Sequence, residues 1–247
     1  MQNNIVAIIQ ARMGSARLPG KVLLNIAEKP MLRRVIERVK KASLVNKVIV
    51  ATSDKKRDDL IKKLCQELKI ECFRGSEEDV LNRYYEAAKG QGAKIIVRIT
   101  SDCPLVDHLI IDKIIKIHLK NRNDYTANNT ENSYPKGLDV EVFNFKSLER
   151  ANYEAKKNYQ REHVTPYFYE HPDIFKIEIL VAEDILNRPK LRFCVDTKED
   201  LIVVRKIYTA LLKSKKPINF YNVIKLLDNH QEITKVNANV RQKRLGE

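Results

Sequence analysis

The chain has 247 residues, of which 43% are hydrophobic and 32% charged, and its formal net charge is +14. Such a mixture supports one sizeable core and excludes a disordered polymer, with one to two domains expected at this length. No apolar run approaches the roughly 18–20 residues needed to span a bilayer, and the N-terminus lacks the basic and apolar regions of a signal peptide, so a cytoplasmic protein is expected.

The charge admits nucleic acid, an anionic surface or small anionic substrates as partners, and equally a set of solvated lysine faces. Cys65, Cys72, Cys103 and Cys194 include no C-x-x-C pair and no metal-ligand spacing, so they read as reduced core or near-core residues.

In chain order, "NIVAII" (Asn4 to Ile9) is a continuous apolar run suited to a strand buried on both faces. A loop rich in glycine and basic residues follows. "PMLRRVIERVKKA" carries Leu32, Val35, Ile36 and Val39 at helical spacing. "KVIVAT" predicts a second strand, "RDDLIKKLCQELK" a helix, "IECFRG" a third strand, and "SEEDVLNRYYEAAK" a helix with Ser76 as N-cap and Asp79 in the capping-box slot. "KIIVRIT" is a fourth strand, followed by "SDCPLVD" and the helix "HLIIDKIIKIHLK". This alternation predicts an α/β fold with a doubly wound, mostly parallel sheet.

After Asn121 the rhythm breaks, and "NRNDYTANNTENSYPKG" reads as loop. "LDVEVFNF" alternates as a strand does, "KSLERANYEAKK" is helical, "REHVTPYFYEHP" is a short helix, and "IFKIEILV" and "LRFCVD" are strands. "TKEDLIVVRKIYTALLK" is a helix with Thr197 as N-cap and a capping box to Asp200, "NFYNVIKLLDNH" is a last helix, and the tail "RQKRLGE" reads as mobile. The expected organisation is one domain, residues 1–247, with an inserted or appended subregion near residues 125–190.

The loop after the first strand, "IIQARMGSARLPGKVLL", is not a P-loop. Gly14 and Gly20 have five residues between them rather than four, and Val22 follows Lys21 where the metal-binding hydroxyl would stand. No G-x-G occurs, which removes the dinucleotide fingerprint. Arg12, Arg17 and Lys21, with glycines that allow close backbone approach, can still wrap a triphosphate at the edge where an α/β sheet binds its ligand. Arg17 is the weaker candidate and is expected to face solvent. Asp102, past the fourth strand, and Asp196, past a late strand, are candidate ligands for a hard divalent ion, and each also fits a helix cap. Asp139 and Glu141 lie two apart on an alternating strand and so share a face, suited to acceptor hydroxyls, a second metal, or solvent.

"QARMGSARLPGKVLL" resembles the signature of the sugar-acid cytidylyltransferases, the acylneuraminate and 3-deoxy-octulosonate enzymes, and is most similar to the branch of spore coat polysaccharide biosynthesis protein F. "FRGSEEDVLNRYYEAA", "RITSDCPLVD", "YPKGLDVEVF", "REHVTPYFY" and "FCVDTKEDL" follow in the same order, so the resemblance covers nearly the whole chain. It implies a GT-A-like nucleotidyltransferase that uses CTP and Mg²⁺ to transfer CMP to an acidic sugar of the ulosonic-acid type, releasing pyrophosphate for surface polysaccharide biosynthesis. It also implies a homodimer, with the 125–190 subregion serving acceptor binding and dimerisation.

Residue by residue, the resemblance implies Arg12, Lys21 and Asp102 as catalytic, and Asp102 and Asp196 as metal ligands. Ala11, Arg12, Gly14, Ser15, Lys21, Arg74, Gly75, Ser76 and Ser101 would bind the nucleotide; Asp139, Glu141, Arg161 and His163 would bind the acceptor. Thr100 departs from the pattern, since other members carry a glutamine near it. Alternatives are a GTP- or UTP-dependent sugar-phosphate nucleotidyltransferase, a phosphonate or other non-sugar acid as acceptor, and a GT-A glycosyltransferase with Asp139-Val-Glu141 as a D-x-D-like motif. A nucleic-acid binder is the non-enzymatic alternative, but no aromatic-interleaved basic motif supports it.

Overall fold

The computed structural model describes residues 4–129 and 133–242, and the 243–247 part of the tail lies outside them. Strand β1 (Ile5–Gln10) runs into the loop; a small hairpin, β2 (Asn25–Ile26) and β3 (Lys29–Pro30), precedes α1 (Met31–Val39). The alternation continues as β4 (Lys47–Ser53), α2 (Asp59–Glu67), β5 (Glu71–Gly75), α3 (Val80–Gly90), β6 (Ile95–Thr100) and α4 (His108–Asn121). Then come β7 (Tyr125–Ala127), β8 (Glu141–Asn144), α5 (Phe145–Glu154), α6 (Asn158–His163), α7 (Pro166–Tyr169), β9 (Ile177–Ile179), α8 (Lys198–Lys213), α9 (Phe220–Asn229) and α10 (Glu232–Lys235).

The main sheet has the order β5-β4-β1-β6-β8-β7-β9. Strands β5, β4, β1 and β6 are parallel, as the alternation predicted; β8 is antiparallel to both β6 and β7, while β9 pairs parallel to β7. Period-two alternation splits each central strand between two cores. Ile5, Ala7 and Ile9 of β1 join Val35 of α1, Ile110 of α4 and Val203 of α8 on one face. Val6 and Ile8 join Leu81 and Tyr84 of α3, Leu148 of α5 and Phe168 of α7 on the other.

Some local expectations need correction. Among the described residues "LRFCVD" forms no strand, and its ladder contact is an isolated bridge between Lys136 and Arg192. The segment expected to be loop contains β7, whose three residues are all buried. Helix α3 starts later than expected, with Asp79 rather than Ser76 as its N-cap; Asp79 accepts from the Asn82 amide at 3.0 Å, and Ser76 Oγ accepts from the Asp79 amide. The Thr197–Asp200 capping box forms as predicted. In the tail, Arg241 and Gln242 are not free: the Arg241 carbonyl accepts from Arg17 at 3.5 Å, and Gln242 Oε1 accepts from Arg192 at 2.6 Å. Among the described residues, no helix is long and apolar enough to cross a membrane.

Candidate active site

The parallel register brings Gln10, Ala51, Ser53, Gly75 and Thr100 to one carboxyl edge of the sheet. Here the loop after β1 folds back on itself. Gly20 has φ +68°, a left-handed conformation in which its amide reaches the Met13 carbonyl at 3.0 Å and a tight turn carrying Lys21 begins. The loop's other anchor is Asp58, fully buried, which accepts from the Met13 amide at 2.8 Å while also taking Thr52 Oγ1 at 3.1 Å and Ser53 Oγ at 2.5 Å.

Lys21 is buried, and its ammonium lies 2.8 Å from Asp102 Oδ2 and 2.8 Å from Asp196 Oδ1. Residues far apart in sequence thus meet on one cationic point. Burial alone would lower the Lys21 pKa, but the charges of Asp102, Cys194 and Asp196 raise it well above the usual lysine value. Against the same opposing burial, Lys21, Arg17 and Arg192 bring the Asp196 carboxyl down to about 2. The Asp102 carboxyl is also held below its usual value, where Lys21 outweighs burial and the repulsion of Asp196.

Arg17 does not simply face solvent: its guanidinium is 2.9 Å from Asp196. Arg192 went unnoticed in the sequence. It holds Asp196 at 2.5 Å and Asp200 at 3.0 Å, and Asp200 also takes the Asn237 amide at 2.9 Å. The one sequence signal for Arg192 was its i,i+4 spacing to Asp196, which means little outside a helix. The strand-end segments are stapled together where the Val195 amide donates to the Asp102 carbonyl at 2.8 Å.

Asp139 precedes β8 and belongs near this group. Burial pushes its carboxyl upward, Asp102 and Glu141 add repulsion, and Lys136 together with the Gly137 amide opposes the rise. Gly137 has φ +97°, and a Cβ there would lie 2.5 Å from the Cys194 nitrogen. The bare backbone therefore lets residues 136–139 press against 193–195.

Four other expected contacts are committed elsewhere. Glu141 is buried against Arg98 across the β6–β8 ladder, a pair close enough to be charge-assisted, and accepts from Tyr125 Oη at 2.6 Å. It therefore does not share a free face with Asp139, because β8 begins at Glu141 and the ladder turns that side chain inward. Arg161 forms a fork to Asp79, 2.9 and 2.6 Å, and donates to the Asn152 carbonyl at 2.5 Å, which ties α6 to the start of α3. Arg74 donates to the Ser53 and Lys55 carbonyls and to Asp59, bracing the β4–α2 connection. Ser76, besides taking the Asp79 amide on its hydroxyl, accepts through its carbonyl from Arg83 at 2.6 Å. Arg83 is 2% exposed, and its Nε has no hydrogen-bond partner among the described residues.

The remaining candidates line the same edge. Ala11 is buried, its amide donating to the Ala51 carbonyl at 3.1 Å, and Ser101 is buried with its amide on the Gln10 carbonyl at 3.0 Å. Gly14 faces the Arg57–Glu77 pair, and Gly75 packs on Phe73 and Arg83. Ser15 Oγ accepts from the Leu18 amide at 3.4 Å. Arg12 is half-exposed, 3.8 Å from Glu162 of α6. His163, on the next turn position, is half-buried, and burial with the charges of Arg98 and Arg12 lowers its pKa despite Glu162. The second subregion thus reaches the basic loop through α6.

The donor set of Asp102 and Asp196 fits a hard divalent cation, since two carboxylate oxygens already converge on the ammonium of Lys21.

Comparison with known proteins gives these features a family. The cytidylyltransferase family model matches residues 6–244. An uncharacterized protein of Methanocaldococcus jannaschii is 45% identical over 97% of this chain and 96% of its own length. The spore coat polysaccharide biosynthesis protein SpsF of Bacillus subtilis is 36% identical over 83% of this chain and 87% of its own. Among solved structures, a cytidylyltransferase from Leptospira borgpetersenii superposes with a TM-score of 0.89 at 30% identity, covering 98% of this chain and 99% of that one. With the family model spanning nearly the whole chain, this protein belongs to the cytidylyltransferases, enzymes that transfer a nucleotidyl group from CTP.

Proposed function

We propose that the enzyme transfers CMP from CTP to the anomeric hydroxyl of an acidic sugar of the ulosonic-acid class, with Mg²⁺ held by Asp102 and Asp196. The observation that carries this reading is the meeting of Lys21, Asp102 and Asp196 within 2.8 Å contacts at the carboxyl edge of the sheet, beside the basic loop. The polysaccharide role in the name of the Bacillus subtilis relative supports a sugar acceptor.

In this reading the loop binds the triphosphate. Arg12, half-exposed and with one distant ion-pair partner, is available to an anion, and Lys21 neutralises charge growing on the leaving pyrophosphate. Gly14 lies in the loop just past β1, where its backbone can approach the phosphates, while the Ser15 and Ser101 amides donate to the Met13 and Gln10 carbonyls at 3.0 Å each. The bound magnesium would supply Lewis-acid stabilisation of the phosphate oxygens. His163, kept neutral by its surroundings, hydrogen-bonds the acceptor near Arg12. A homodimer working in the cytoplasm, with the 125–190 subregion at its interface, belongs to the same reading.

The test is pyrophosphate release with Mg²⁺, each nucleoside triphosphate separately, and a panel of sugar acids and sugar phosphates. Release only with CTP plus a sugar acid is the expected result; release only with sugar phosphates refutes the acceptor class. Asp102→Asn and Asp196→Asn should each lower turnover by at least ~10²-fold, the scale of losing one electrostatic stabiliser. Wild-type turnover in either variant removes that carboxylate from the metal.

A further inference from the structure

Two of the four cysteines, Cys103 and Cys194, are 91 positions apart in sequence yet arrive at the same sheet edge. Cys103 is 2% exposed and follows Asp102; Cys194 is half-buried and stands two residues before Asp196. The donor atoms of Asp102, Cys103 and Cys194 all lie within 4.8 Å of one another. Cys103 Sγ is 3.6 Å from Asp102 Oδ1, and Cys194 Sγ is 3.6 Å from Asp196 Oδ2. Both thiols are free, so no disulfide explains the meeting.

A hard ion such as magnesium has no use for sulfur; it takes oxygen ligands. A tetrahedral zinc-class ion takes two thiolates at about 2.3 Å and an oxygen at about 2.0–2.2 Å, which places its donors roughly 3.5–3.8 Å apart. The three donors lie within 4.8 Å of one another, so side-chain movements of about 1 Å would close the set. The backbone holds the two cysteines in place independently of any ion. The Val195 amide on the Asp102 carbonyl staples their segments, and Gly137 presses on the Cys194 backbone.

We propose that Asp102, Cys103 and Cys194 form a binding site for a thiophilic divalent cation of the zinc class, with a water oxygen as the fourth donor. Binding replaces the two thiol protons, which leave to solvent, by two sulfur–metal bonds; no redox change occurs. The site shares Asp102 with the proposed magnesium position. A soft ion there therefore excludes the hard one, because softness selects sulfur over any oxygen-only arrangement.

Cobalt(II) reads the donor set directly. The full chain, kept reduced with a phosphine, is titrated with Co²⁺ and then with Zn²⁺. Thiolate ligation in a tetrahedral field produces intense visible bands and sulfur-to-cobalt charge-transfer absorption; oxygen-only binding produces a weak octahedral spectrum. The expected result is a charge-transfer band saturating at one Co²⁺ per chain, displaced by Zn²⁺ but not by Mg²⁺. Cys194→Ser and Cys103→Ser should each abolish the band and weaken Zn²⁺ binding by at least ~10-fold, the lower bound for disturbing a metal's ligand sphere. A weak oxygen-type spectrum in the wild type overturns the proposal and leaves the thiols as small packing groups. So does a band that survives in both single variants. The wild-type spectrum decides even where a variant fails to fold. Neither CTP nor acceptor is present, so this failure is separable from a failure of the proposed transfer reaction.

Discussion

Gly137→Ala probes how the site is assembled, because one added carbon attacks the seam between the segment that carries Asp139 and the segment that carries Asp196. At φ +97° an L side chain is strained by about 1–2 kcal/mol. The new Cβ would also stand 2.5 Å from the Cys194 nitrogen and 2.7 Å from the Phe193 carbonyl carbon. Both are backbone atoms, so no rotamer change relieves them, and residues 136–139 must withdraw from 193–195. That withdrawal stretches the paired hydrogen bonds from Lys136 N to Leu191 O at 3.0 Å and from Phe193 N to Lys136 O at 2.6 Å. A hydrogen bond is worth about 1 kcal/mol net, so partial loss of two brings the total to about 2–4 kcal/mol. For a chain of this size that predicts a melting temperature lower by about 5–15 °C. Differential scanning calorimetry or urea unfolding measures it. A change below about 1 kcal/mol would mean the seam is soft and the close approach of Gly137 to Cys194 does not organise the site.

Asp58→Ala should cost about 3 kcal/mol in urea unfolding and raise the KM for CTP, since four donors (the Met13 amide, the Ser53 amide, Thr52 Oγ1 and Ser53 Oγ) lose one buried acceptor and the basic loop loses its anchor. Unchanged stability would show that water replaces the carboxylate. With Asp196 at about 2 in the folded state against a usual 3.8, its contribution is fully present above pH 3.8 and is lost as pH falls through about 2. Partial exposure screens it to about 1–2 kcal/mol, and urea midpoints from pH 5 downward should show a shallower acid slope in Asp196→Asn. An identical slope refutes the assignment. Arg161→Ala and Asp79→Ala should each destabilise the fold, with a coupling of about 1 kcal/mol in the double-mutant cycle, as a bidentate pair requires. Strict additivity would release Arg161 for the acceptor.

Much of the architecture was legible from local pattern. The strands β1, β4, β5 and β6 announced themselves as apolar runs, and α1, α4 and α8 as periodic ones, because a strand buried on both faces and an amphipathic helix each write their environment into a few consecutive residues. The positions of the basic loop and Asp102, past β1 and β6, were also legible, since each follows a strand end where ligands collect; Asp196 follows a segment that pairs only through one isolated bridge. Short β7 was missed because three residues carry no period, and "LRFCVD" was over-read because an apolar run does not say whether a partner strand will accept its hydrogen bonds.

The sequence by itself determined most of the elements, where the basic loop stands, and that Asp102 follows the end of a strand. Only the tertiary structure decided who meets whom. It placed Lys21 between Asp102 and Asp196, recruited Arg17 and Arg192 to the same carboxylate, and brought Cys103 beside Cys194. It also spent Glu141 on Arg98 and Arg161 on Asp79. A charged side chain's role is set by the nearest opposite charge after folding. Apart from Arg192, four residues from Asp196, these partners lie tens to nearly two hundred residues away, so no local pattern records them.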